Sequence, residues 1–191
     1  MTDTSTEVAA DRSSVGPRVE IAFLAGAAVA VFLGVYGRVH DPTGDTALVL
    51  FFRDQITMKA WFATAAALCA VVQVSSALRL YGKVGSGAPP SWLGDVHRLS
   101  GTLAFLFTLP VAYHCLWSIG FSSDPGLNRV FLHSLAGCLF YGAFAAKVIL
   151  VRSRGLPGWA LPLAGGLVFT ALVGAWFTSA FWFFDTQGMA V

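Results

Sequence analysis

Charge is scarce in this sequence. Only 12% of its 191 residues are Asp, Glu, Lys or Arg, against 56% hydrophobic ones, and the mean hydropathy is +0.70. A soluble domain of this size cannot hide so much apolar surface, so lipid must cover part of it. The net charge is only +2, which excludes the basic field of a nucleic-acid binder. Cysteine is scarce as well. Cys69, Cys115 and Cys138 all fall in apolar segments without CxxC spacing, so they read as small buried hydrophobes rather than a disulfide framework or a zinc site. No Rossmann fingerprint is present, and a tightly bound nicotinamide or flavin is not expected. No cleavable signal peptide is expected, because the first apolar run begins only near Val19, behind a polar Ser/Thr-rich lead.

What the chain does have is five long apolar stretches: Val19 to Tyr36, Ile56 to Leu78, Leu93 to Ile119, Val130 to Val151 and Trp159 to Phe184. Each approaches the ~20 residues that cross ~30 Å of hydrocarbon. The expectation is an all-α integral membrane helical bundle of about five transmembrane helices. Residues 19–191 form the single bundle domain, and residues 1–18 form a disordered cytoplasmic tail. A shorter apolar patch, Ala47 to Phe52, cannot span and should lie in the interface or tuck against the bundle. Basic residues orient the chain. With the N-terminus inside, inner segments hold Arg12, Arg18, Arg79, Lys83, Arg98, Arg152 and Arg154, and outer ones hold only Arg38, Arg53, Lys59 and Arg129. The N-terminus is therefore expected inside and the C-terminus outside.

Three of the four histidines, His97, His114 and His133, lie between Asp95 and Lys147. This stretch reads as two apolar helices joined at Asp124-Pro125-Gly126, a strong turn signal. If the helices run antiparallel, His114 and His133 fall at one depth, each about ten residues or roughly 15 Å from the turn. A histidine inside a membrane bundle is costly and faces an interior or cavity. One such residue is readily explained by an interhelical hydrogen bond. Two at matching depth on adjacent helices point to metal ligands, and imidazole suits haem iron. A zinc or copper site would want further ligands, which Cys115 and Cys138 do not obviously supply. Gly137, four residues after His133, lets a flat macrocycle approach the backbone, and Pro110, four before His114, can open room by kinking the helix. Ordinary transmembrane packing is the plainer account of both. His97 and Lys147 match in depth at the inner end. They could meet haem propionates, a quinone head group or an anionic reductant, although simple snorkelling of Lys147 and Arg98 is the plainer account there. His40 reads as a solvated interfacial residue.

The segment His97-Arg98-Leu99-Ser100-Gly101 followed by His114, together with His133-Ser134-Leu135-Ala136-Gly137, resembles the paired helices of b561-type haem b membrane cytochromes. The likeness covers about Asp95 to Arg154. The whole chain also resembles an uncharacterised bacterial membrane family with about five spans. The resemblance implies a haem b bundle in the bacterial cell membrane. Such a bundle would pass electrons between quinone or a small reductant and an outer acceptor or redox partner subunit, as an oxidoreductase subunit would. Two departures limit it to one haem, held by His114 and His133 near the outer face. His97 and His114 are seventeen residues apart, about 100° around an ideal helix, and Lys147 stands where an inner histidine would be expected. The competing readings are a haemless structural or assembly subunit of a membrane complex, and a small transporter. The second lacks the internal repeat that transporters favour.

Overall fold

The computed structural model describes residues 4–46, 48–121, 126 and 128–189, and the side chains from residue 16 onward. The expected turn at Asp124-Pro125 lies outside the described residues, as does Ala47. Among the described residues the chain is all-helical, without strands. Helix α1 covers Thr4–Val39 and α2 covers Gln55–Leu80; α3 covers Leu93–Tyr113 and continues as a π turn, His114–Ser118. Helix α4 covers Arg129–Arg152. Helix α5 begins at Ala160–Trp176, passes through a second π turn at Phe177–Phe181, and finishes at Gln187. Five of these segments are long and apolar enough to cross a membrane: Gly16–Val39, Gln55–Leu80, Leu93–Ser118, Arg129–Arg152 and Ala160–Gln187. Large side chains such as Phe32, Leu68, Leu106 and Leu163 are exposed on their outer faces, as lipid-facing residues would be.

The helices alternate in direction. The end where α1, α3 and α5 finish and α2 and α4 begin is called the upper end here. Close backbone packing joins α2 to α3, α4 to α5 and α1 to α4. The α1–α4 crossing depends on missing side chains. A Cβ on Gly26 would meet the Gly142 carbonyl oxygen at 2.5 Å, and one on Gly142 would meet the Gly26 oxygen at 2.5 Å. Small residues at such a crossing let backbones touch, which is what associates helices where lipid is as apolar as leucine. Helices α3 and α4 are different. Their backbones stay farther apart, and side chains bridge the seam: Phe105 stacks on Phe144 at 4.2 Å, and Tyr141 donates to the Thr108 carbonyl at 3.0 Å. The four helices α2 to α5 thus surround a space, with α1 clamped outside α4.

Asp54 caps α2 by accepting from the Thr57 backbone N–H at 2.8 Å, and Asn128 caps α4 by accepting from Phe131 N–H at 2.9 Å. The same Thr57 hydrogen bond holds the Asp54 carboxyl below the usual carboxylate range. Between α1 and α2 the chain turns back onto the end of α3. Thr43 and Gly44 donate backbone bonds to the Trp117 and Ser118 carbonyls, and Ser118 Oγ bonds the Asp45 carbonyl. Gly120 follows at φ +73°, with the Pro42 ring where a Cβ would stand. Only glycine tolerates both conditions.

Candidate functional site

A half-enclosed cavity of about 280 Å³ opens in the upper half of the bundle. Its walls come from all four central helices, and both π turns contribute, through Cys115 and Leu116 on one side and Ser179 and Ala180 on the other. A π turn inserts one extra residue per turn and frees backbone carbonyls, and such turns gather at functional sites. Phe140, Tyr141 and Leu172 lie at its lower part, where the aromatic core of the bundle begins.

His133 is the best-defined group on the wall. Its Nδ1 lies 3.0 Å from the Ala175 carbonyl, one residue before the capping residue of the α5 π turn. A carbonyl only accepts, so Nδ1 carries the proton and Nε2 carries the lone pair. That Nε2 meets the Cys115 thiol at 3.6 Å. The arrangement is the one metal-ligating histidines use, with the distal N–H fixed by a carbonyl and the other nitrogen presented as a base. The Lys59 side chain, from α2, approaches the same thiol and lines the same cavity. Arg129, at the start of α4, donates to the Thr178 carbonyl at 2.6 Å and lies 3.9 Å over the Trp182 ring.

Gly137 lines the cavity one turn below His133, and a Cβ there would meet nothing within 4 Å. Open space beside a bare backbone is the feature expected of it from the sequence. Pro110 stays within α3, four residues before the π turn, and is not on the cavity wall.

His114 is not brought to His133. Its ring is fully buried and donates from Nε2 to the Leu48 carbonyl at 3.0 Å, away from the cavity, while Nδ1 has no partner. Cys115, the next residue around the helix, takes the wall position instead. In the apolar patch after residue 47, the Leu48 carbonyl meets this histidine and Phe52 packs edge-on against Phe62 at 5.8 Å, while Leu48, Leu50 and Phe51 are exposed, as interfacial side chains would be. His40 is sandwiched rather than solvated. It stacks on Tyr36 at 5.0 Å and lies against Trp117 at 4.6 Å, and its buried Nε2 has no hydrogen-bond partner among the described residues. In the lower half, His97 and Lys147 share one neighbour. Gln73 donates to the His97 carbonyl and accepts from Lys147 Nζ at 3.3 Å, while Ser76 Oγ meets His97 Nδ1 at 2.9 Å.

The wall residues that sequence reasoning passed over are Lys59 and Arg129, and Cys115, weighed there as a ligand and set aside, is on the wall as well. Arg129 carried a signal, because it precedes His133 by four residues and Gly137 by eight, on one helical face. Lys59 also carried one, as a cation inside an apolar span.

The DUF6529 family matches residues 19–191, which is nearly the whole chain and all five candidate spans. The chain belongs to this family of unknown function. No curated protein matches it, and no solved structure does. What the site of this DUF6529 protein can hold is therefore judged on its donors. Among the described residues, no group of three or more His, Cys, Asp and Glu is placed to hold a metal ion, as a protein-ligated zinc or copper would require. A haem needs only one or two axial donors, since the porphyrin supplies four nitrogens. The His133 ring and the bare Gly137 backbone fit that demand on the cavity wall, whereas His114 is buried away from it against the Leu48 carbonyl. The cavity of about 280 Å³ is small for the purpose, just under the roughly 300 Å³ at which ligand sites begin.

Proposed function

We propose that this DUF6529 chain is a b561-like electron-transfer protein of the bacterial cell membrane, with its N-terminus inside and its C-terminus outside, holding one haem b in the upper cavity. The observation that carries the reading is His133. Its Nδ1–H is fixed to the Ala175 carbonyl, and its Nε2 lone pair is directed to the Cys115 thiol on the wall of the cavity, where a ligand that displaces the thiol would meet it. A bound haem would supply reversible one-electron chemistry. The chain's own groups do the rest. His133 would hold the iron through a ring nitrogen, Gly137 would leave the approach bare, and the largely apolar walls would limit water. His114, which the sequence pairs with His133, would be a second residue to hold the iron only if it released the Leu48 carbonyl and turned to the cavity. Electrons would pass between quinone or a small reductant and an outer acceptor or partner subunit.

An absorption spectrum of the full chain, expressed with ample haem, tests this. The expected result is a Soret band of a low-spin haem that disappears in His133→Ala. His114→Ala is expected to convert the band to a high-spin form. A low-spin spectrum that survives His114→Ala moves the second axial position to Cys115 or Lys59. A wild-type chain without a Soret band ends the electron-transfer reading and leaves a structural or assembly subunit in its place.

A further inference from the structure

We infer that Lys59 and Arg129 form a carboxylate-binding pair at the mouth of the upper cavity which, on the haem reading above, receives the two propionate groups. The cavity wall holds Lys59, Arg129 and His133 and, among the described residues, no Asp or Glu. The ion pairs found among those residues are Arg53–Asp54 and Arg98–Asp95, so neither cavity cation has a described carboxylate partner. Arg129 is oriented by the Thr178 carbonyl and the Trp182 ring, but neither neutralises it. Lys59 meets a thiol. Cations set in low dielectric are costly unless an opposite charge joins them. A ligand that brings two carboxylates into this cavity therefore gains more than the same ligand with neutral ends.

The order of groups along α4 says which end of the ligand goes where. Arg129, His133 and Gly137 follow at four-residue steps on one face, each step rising about 6 Å. The cation is nearest the upper surface, the imidazole one turn deeper and the bare backbone one turn deeper again. Helix α5 fixes the first two together, because Thr178 in its π turn supplies the carbonyl that holds Arg129 and Ala175, just before that turn, supplies the one that holds His133. Lys59 stands one turn inside the start of α2, at the same end. An amphipathic ring system with anionic tails fits that sequence with its tails up.

The test is a Soret titration of the full-length apo chain in nanodiscs with haemin and with haemin dimethyl ester, which has the same ring and iron but no carboxylate charge. The wild type is expected to prefer the free acid by tenfold or more, since a hydrogen bond to a charged group contributes about tenfold in affinity. Lys59→Met and Arg129→Leu should each reduce that preference about tenfold while leaving ester binding unchanged. Lys59→Arg and Arg129→Lys, which keep the charge, should restore it. His133→Ala should weaken both porphyrins equally, because it removes ligation rather than anchoring. Equal binding of the two porphyrins by the wild type, or a preference that survives both neutral substitutions, overturns the pair and leaves the haem reading standing. A wild-type chain that takes up neither porphyrin overturns the haem reading, and this assignment with it.

Discussion

Lys147 and Lys59 are both lysines set within apolar helices, and the bundle treats them differently. Lys147, in the lower half, bonds Gln73, which also bonds the His97 carbonyl and Ser100. Three helices, α2, α3 and α4, are tied by one amide, and the polar groups there are satisfied within the chain. Lys59, in the upper half, meets a thiol beside a cavity, near an arginine without a described carboxylate partner and a histidine presenting a lone pair. The lower network has the form of a structural tie, whereas the upper cluster holds cations without a described carboxylate partner and an imidazole nitrogen able to donate its lone pair to a metal. A cation at the edge of a low-dielectric cavity is stabilised by an opposite charge, so two cations without a described carboxylate partner at one end mark where an anionic ligand would be stabilising.

The sharpest way to break this comparison is His133→Ala. It should lower haem affinity about a hundredfold or remove binding altogether, since disturbing even the groups behind a metal ligand costs roughly 10–100-fold, while the fold, followed by far-UV circular dichroism, stays intact. If haem binding is retained, the upper cluster is no more functional than the lower one. Next in size, Gly142→Val should destabilise the bundle by about 2 kcal/mol or more, because overpacking a tight crossing forces backbones apart. Thermal melting in detergent would read it, and an unchanged melt would mean that α1 is not held to α4 at Gly26. A contrast between the two lysine environments follows. Gln73→Leu should cost about 1–3 kcal/mol, since it strands Lys147 and the groups it ties. Lys59→Met in the haem-free chain should cost nothing or stabilise it, because it removes a cation without a counter-charge. If both changes destabilise equally, the two ends are not different in kind.

The smallest effect concerns a cap outside the spans. Asp54→Ala should cost about 1 kcal/mol by removing the bond to Thr57 N–H. Because that bond lowers the Asp54 pKa on folding, its stabilisation is full above the ordinary carboxylate pKa and is lost as pH falls through the depressed folded value. Asp54→Asn should flatten that acid limb of the stability curve, and an unchanged acid limb would remove Asp54 as its source.

Composition and hydropathy determined the architecture. The five apolar stretches coincide with the five candidate spans to within a few residues, because a helix is what satisfies every backbone group of a continuous apolar segment in lipid. The proximity of His97 and Lys147 was also legible, since depth matching across an antiparallel pair depends only on residue counts and rise per residue. So was the open space beside Gly137, from its place one turn after His133. Periodicity further required that His114 and Cys115 point about 100° apart.

Which of those two faces the cavity was decided by tertiary structure alone. The π turn that starts at His114 shifts the helical phase, and the loop after α1 brings the Leu48 carbonyl to one side of the helix while α2 and α4 bring Lys59 and His133 to the other. The imidazole goes where it finds an acceptor in an otherwise apolar setting, and the thiol takes the remaining wall. The tautomer of His133 is equally a tertiary matter, since it depends on a carbonyl of α5 forty-two residues away in sequence. Sequence determines which groups enter the bundle and at what depth. Which way each one turns is settled by the partners that folding places around it, because in a low-dielectric interior an unpaired polar atom costs more than a rotated helix turn.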